Sequence, residues 1–244
     1  MSVVGIVAAL EAEARILDSA HSHAGSPTAL VDGVLLAVSG IGWAAAERAA
    51  LALVDAGARA LLSWGMAGGL DPALRAGTIF LPDRVVSVDG QEFSTALRWR
   101  EHLCSTIIAR HPIGSGKLLS AMTVMETIAD KTAAYRITGA LAVDMESLAV
   151  AAVAARRGLP FIAVRVIVDT ANDSLPRAIA AATRCGQLRI GSLLGALARR
   201  PRELFAIMRL ARRYRAAMQS LAAMARVGPG GQFALAALRA AGLS

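Results

Sequence analysis

Hydrophobic residues along this chain fall into two alternating kinds of run. Short stretches rich in Val, Ile and Leu stop at glycine or at acids: "VVGIVAAL" (3–10), "VLLAVSG" (34–40), "ARALLSWG" (58–65), "SGKLLSA" (115–121), "GALAVDM" (139–145) and "LPFIAVRVIVDTAND" (159–173). Their length and composition predict strands. Between them lie Ala-rich runs at helical spacing, "WAAAERAALALVDAG" (43–57) and "ESLAVAAVAARRG" (146–158), each closed by a glycine that suits a helix end. "GTIFLPDRVVSVDG" (77–90) fits a strand pair or one bent strand, and "GMAGG" (65–69) reads as a glycine turn leaving the third strand. Strands alternating with helices predict a three-layer α/β/α fold around a mixed, largely parallel sheet.

In such sheets ligands bind beyond the carboxyl ends of the strands. Glu13 lies just past the first predicted strand, "GMAGG" follows the third, Asp144 and Glu146 follow "GALAV", and Asp169 and Asp173 follow "FIAVRVIV". One acid at a helix start is an ordinary N-terminal cap. Acids or a glycine loop at four strand ends point to a shared cleft.

Composition narrows what that cleft can do. The 244 residues suffice for one sizeable core, dominated by small aliphatic side chains. Cys104 and Cys185 form neither a disulfide framework nor a zinc pattern, which suits a reducing, cytoplasmic setting. The amino terminus has no basic leader, and no apolar run reaches the ~20 residues of a membrane-spanning helix. His21, His23, His102 and His111 lie outside the strand-end motifs and read as surface residues. No Ser–His or Cys–His arrangement, metal-ligand spacing, phosphate loop or dinucleotide fingerprint is present, so neither metal nor cofactor is expected. What remains is carboxylate chemistry: an acid that protonates a leaving group, a base that activates water and a carboxylate that grips hydroxyls. Glycosidic bond cleavage needs those parts.

The motifs "GIVAALEAEA" (5–14), "VSGIG" (38–42), "GMAGGLDPALRAGTI" (65–79), "AVDMESLAVAAVAARRGLPF" (142–161) and "AVRVIVDTAND" (163–173) resemble the nucleoside phosphorylase and nucleosidase superfamily, in order, over about residues 3 to 173. Methylthioadenosine/S-adenosylhomocysteine nucleosidases are the nearest well-known branch. The resemblance implies that Asp169 donates a proton towards purine N7 and that Glu13 handles the attacking water. Glu146 would bind the ribose hydroxyls, and Met145 would lie against the sugar. Asp144 and Arg165 would support the site, and Gly68 belongs to its glycine motif. Met66 stands where many relatives have Ser or Thr. Val124 and Met125 stand where relatives stack a Phe on adenine. These departures suit a wider, more apolar pocket. A homodimer is implied by the family, and phosphate stays open as the alternative nucleophile.

The net charge of +8 is concentrated in one segment: ten of the 26 basic residues and one acid lie between Arg184 and Arg226, and the rest of the chain is nearly neutral. We therefore divide the chain into a catalytic domain (1–183) and a basic helical extension (184–244) packed on the same domain. Over 201–222, Leu204, Ile207, Met208, Ala211, Tyr214, Met218 and Leu221 fall on one helical face and Arg202, Arg209, Arg212 and Arg213 on the other. This reads as a packed helix with a solvated basic face, or as a peripheral membrane helix. No motif favours nucleic acid. The basic extension resembles the hopanoid-associated branch, whose proposed role is removal of adenine from adenosylhopane. The expected partner is then an adenine nucleoside, small or lipid-linked.

Overall fold

The computed structural model describes residues 3–18, 26–31, 33–107, 111–174 and 203–227. In chain order the strands are β1 (Val3–Ala8), β2 (Thr28–Val31), β3 (Val34–Val38), β4 (Ala58–Gly69), β5 (Ile79–Phe80), β6 (Arg84–Val86), β7 (Glu92–Ser94), β8 (Ile113–Gly114), β9 (Lys117–Ser120), β10 (Ala142–Asp144) and β11 (Phe161–Asp169). The helices are α1 (Glu11–Leu17), α2 (Trp43–Asp55), α3 (Leu97–Ile107), α4 (Ile128–Thr138), α5 (Ser147–Arg156) and α6 (Glu203–Val227).

All eleven strands belong to one mixed sheet, as the alternating pattern predicted. Its central member is β4. On one edge β4 pairs in parallel with β1, and its last two residues pair antiparallel with β10. On the other edge it pairs in parallel with β11 from Leu61 to Gly68. The stretch 65–69 is therefore strand, not the turn that its glycines suggested. β11 pairs with this stretch from Gly65 to Gly68, and β10 joins on the other edge at Gly68 and Gly69, so the ladder outweighs the usual cost of glycine in a strand.

Two-residue periodicity sorts the core into layers. From β11, Ile162, Val164 and Val166 pack on one face with Ala14 of α1, Trp99 and Leu103 of α3 and Leu221 of α6. Phe161, Ala163 and Ile167 pack on the other face with Ala46 and Ala50 of α2 and Val150 and Val153 of α5. Helix α5 is buried from Ser147 to Ala154, and its alanines let sheet and α2 approach closely. Gly57, at a φ of 101°, ends α2 by donating its N–H to Val54 O at 3.0 Å.

Helix α6 joins the first of these layers through Ala217, Leu221, Met224 and Ala225. Its buried stripe differs from the one read by spacing. Met208 and Ala211 are exposed, and Arg213, assigned to the solvent face, turns inward and pairs with Asp173. The side chains of Leu204 and Ile207, and the segments 175–202 and 228–244 with Cys185, lie outside the described residues, as do His21 and His23. Among the described residues no helix is long and apolar enough to cross a membrane.

Candidate active site

One cavity opens beyond the carboxyl ends of β1, β4, β10 and β11. Its lining includes Glu13, Met66, Gly68, Val124, Met125, Met145, Glu146 and Asp169. These residues come from five separate parts of the chain. Arg165 does not reach the cavity; it lies behind it, 2% exposed.

Glu13 sits in the first turn of α1. Its carboxylate accepts the Leu10 N–H at 3.0 Å and the Met66 N–H at 2.9 Å, so one side chain ties the helix start to β4. Trp64 Nε1 donates to the Glu13 carbonyl at 3.3 Å. The approach to the strand requires glycine at 65, where a Cβ would lie 2.7 Å from Glu13 Oε1. Burial pushes the Glu13 carboxyl above its ordinary range, against the Arg165 charge and these backbone donors.

Glu146 immediately precedes α5. Its carboxylate accepts the Gly42 N–H at 2.9 Å and the Met145 N–H at 3.3 Å, which brings the "VSGIG" loop to the end of β10. Burial, with Asp144 nearby, pushes it up to about 7, partly offset by Arg165.

Asp144 and Arg165 form the floor beneath these acids. Arg165 Nε donates to Asp144 Oδ2 at 2.8 Å, and its Nη2 donates to Ser63 Oγ at 2.6 Å and Ser147 Oγ at 2.9 Å. Asp144 also accepts the Ser147 N–H at 3.2 Å, which starts α5, and a short hydrogen bond from Ser120. Arg165 shares the face of β11 that carries Ala163 and Ile167, which aims it at α5.

Asp169 ends β11. Its Oδ1 would lie 3.0 Å from a Cβ at Gly68, so this glycine too admits a carboxylate against β4. Burial raises the Asp169 carboxyl, with Asp173 adding to the rise, and one cation opposes it. That cation is Lys131 of α4, which pairs with Asp169 and donates to the Thr170 carbonyl at 2.9 Å. The sequence reading overlooked Lys131 and the whole of α4. The helix did carry a signal: Thr127 and Asp130 form a reciprocal cap at its start, and Gly139, at a φ of 66°, ends it.

Asp173 stands behind Asp169 and lines no part of the cavity. It accepts the Thr170 N–H at 3.0 Å and pairs with Arg213. Although burial pushes its carboxyl up, the hydrogen bonds from Arg213 and Thr170 hold it well below the usual carboxylate range. Among the described residues no group of His, Cys, Asp and Glu side chains is arranged to hold a metal ion.

Residues 27–191 match the model of the Phosphorylase superfamily. The chain belongs to that superfamily. Solved structures show the same fold. A 5′-methylthioadenosine/S-adenosylhomocysteine nucleosidase from Neisseria meningitidis, bound to methylthio-immucillin-A, superposes with a TM-score of 0.71 at 18% identity, covering 94% of this chain and 99% of that one. Futalosine hydrolase of Helicobacter pylori superposes with a TM-score of 0.64 at 17% identity, covering 80% and 98%. An S-adenosylhomocysteine nucleosidase from Streptococcus pyogenes gives 0.62 at 22% identity, covering 70% and 85%. A sequence search of curated proteins gave no match.

Proposed function

We propose that this chain is an enzyme that cleaves the N-glycosidic bond of a purine nucleoside with water as nucleophile. The observation that carries this is the convergence of three buried carboxylates, Glu13, Glu146 and Asp169, on one largely apolar cavity. Cleavage through an oxocarbenium-like state needs charge handled at three places. Asp169 supplies a proton to the base, so that the bonding electrons leave with a neutral purine. Glu146 accepts hydrogen bonds from the ribose diol. Glu13, its carboxyl raised by burial, takes the proton from water as it attacks the sugar carbon. The solved structures named above that share the fold are a methylthioadenosine/S-adenosylhomocysteine nucleosidase, a futalosine hydrolase and an S-adenosylhomocysteine nucleosidase, which supports the same chemistry here.

Water is favoured over phosphate because a carboxylate stands at the nucleophile's position. Arg15, the nearest cation in sequence, pairs with Glu11 on the exposed side of α1. Lys131 is the cation among the described lining residues, and it is taken up by Asp169.

For the substrate we favour adenosylhopane over the small thioether nucleosides. Ile41 and Val124 line the cavity yet are 42% and 39% exposed, and Met122 and Ile128, exposed as well, flank the 123–125 segment. An apolar mouth of this kind matches an apolar 5′-group. The exposed arginines of α6 would suit an anionic membrane surface, where such a lipid resides. A homodimer is the expected assembly. The test is to incubate purified protein with adenosylhopane, methylthioadenosine and S-adenosylhomocysteine, with and without phosphate, and to follow free adenine. Phosphate-independent release from adenosylhopane alone is expected. Release chiefly from the thioethers would make this a salvage nucleosidase, and phosphate dependence would make it a phosphorylase. Binding of nucleosides without release would leave a binding module.

Glu146 gives the reading a pH signature. A carboxylate titrating near 7 grips a diol well only when ionised. KM is therefore expected to rise as pH falls below about 7, and Glu146→Gln is expected to raise KM at every pH and remove that dependence. A wild-type KM that is flat from pH 5.5 to pH 8.5 (a window of roughly three units around that midpoint) would remove Glu146 from the diol.

A further inference from the structure

Lys131 is placed at some cost. It lies near the amino-terminal end of α4, where the helix dipole disfavours a cation. It is 1% exposed, although lysine is almost never fully buried without a partner. Its neighbours Ala129, Asp130 and Thr132 face outward, while Lys131 and Ala134 are the buried positions of this helix. The ammonium crosses from α4 to the end of β11, pairs with Asp169 and donates to the Thr170 carbonyl, and it also lines the cavity. A carboxyl group held by an ammonium is a carboxylate. In this pair, then, the proton that Asp169 must give to a leaving base is held on the neighbouring lysine.

We infer that Lys131 is the proton reservoir of this site, a positioning residue that recharges Asp169 as Asp169 protonates the departing base. The inference rests on the cleavage reading above. The balance is simple. The Lys131 ammonium passes its proton to the paired Asp169 carboxylate and becomes a neutral amine. As the glycosidic bond breaks, its electrons go to the base, and the base takes that proton from Asp169, which returns to a carboxylate. After product leaves, Lys131 regains a proton from solvent and Glu13 gives up the one it took from water, so the count closes. The charged groups around the pair are Asp173 behind Asp169, itself held by Arg213 and Arg209, and Glu13, Glu146 and the Arg165-paired Asp144 across the cavity.

A lysine that only staples α4 to β11 behaves differently, and the two roles part in opposite directions. If Lys131 is the reservoir, the basic limb of kcat/KM in the wild type extends above the pH at which a lone buried carboxyl ionises. Lys131→Met then moves that limb to lower pH, and kcat at pH 8 falls by about 10²-fold or more. Lys131→Arg keeps the charge and the pairing but holds its proton too tightly to give it up, so it does not restore the limb. If Asp169 alone were the acid, Lys131→Met would move the limb to higher pH and Lys131→Arg would restore it, and either result overturns the inference. A second measurement does not need turnover. The side-chain carboxyl ¹³C resonance of Asp169, assigned by loss in Asp169→Asn, is expected to titrate about 1 to 3 units higher in Lys131→Met than in wild type. An unmoved titration overturns the pairing itself. Wild-type protein that releases no adenine from any purine nucleoside sinks the cleavage reading and the reservoir with it. Wild-type release with an unmoved limb sinks the reservoir alone.

Discussion

Asp169→Asn is expected to reduce adenine release by about 10²- to 10⁴-fold, the range over which a positioned general acid acts. The amide is nearly isosteric and can still accept a hydrogen bond, so the cavity keeps its shape while the transferable proton is gone. The substitution also strips the counter-charge from Lys131, whose side chain is 2% exposed. Removing one member of a buried pair costs about 3–5 kcal/mol, so a falling rate could reflect lost protein. The double variant Asp169→Asn/Lys131→Met separates the two effects. It is expected to recover most of the stability by urea unfolding and none of the activity in single-turnover assays. Activity within tenfold of wild type in either variant would contradict the assignment of Asp169 as acid.

The second large effect is on folding. Arg165→Met is expected to destabilise the protein by about 3–5 kcal/mol, because Asp144 is left as an uncompensated charge in the core. That is a large share of the roughly 5–15 kcal/mol that holds a domain together. Three more hydrogen bonds are lost with the guanidinium, to Ser63, Ser147 and the Val164 carbonyl. Pairing the change with Asp144→Asn removes the stranded charge and is expected to return part of the loss. The acids above respond as well. Arg165 holds both Glu13 and Glu146 below where burial alone would put them, so both carboxyls rise in Arg165→Met. For such raised groups, stability is highest below the unfolded carboxyl range and falls as pH rises through the folded value. The variant's deficit is therefore larger at pH 8 than at pH 5, which lie on either side of the value of about 7 for Glu146. Equal losses at both pH values would show that Glu13 and Glu146 do not depend on Arg165, and a loss under about 1 kcal/mol, the size of an ordinary single hydrogen bond, would show that the network is dispensable.

The strand ends carrying Glu13, Glu146 and Asp169 were legible because acids after hydrophobic runs violate the pattern that makes a core. The helix start at Asp144 was legible for the same reason, since its carboxylate accepts the Ser147 N–H as a capping acid does. The stretch 65–69 was misread because two signals compete there. Glycine punctuates turns, but it also permits close approach within a strand, and only the partner carboxylates at Gly65 and Gly68 decide between them. The short strands β2, β7 and β8 have too few residues for an alternating pattern. Lys131 was illegible for a different reason. In "IADKTAAYRIT" a lysine among polar neighbours reads as solvated, and nothing local reveals that β11 brings an acid to meet it.

The placement of the two glycines reaches further than packing. Glu13 leans on the backbone at Gly65 and Asp169 on the backbone at Gly68, three residues along one strand, a rise of roughly 10 Å. The interval between the proposed water end and the proposed base end of the cavity is thus graduated by peptide geometry, on a strand that β11 pairs from Gly65 to Gly68. The mouth residues Ile41, Val124 and Met125 lie instead in connecting segments. Such an arrangement would let the loops be redrawn for a different 5′-group while the spacing of the two carboxylates along the strand stays fixed.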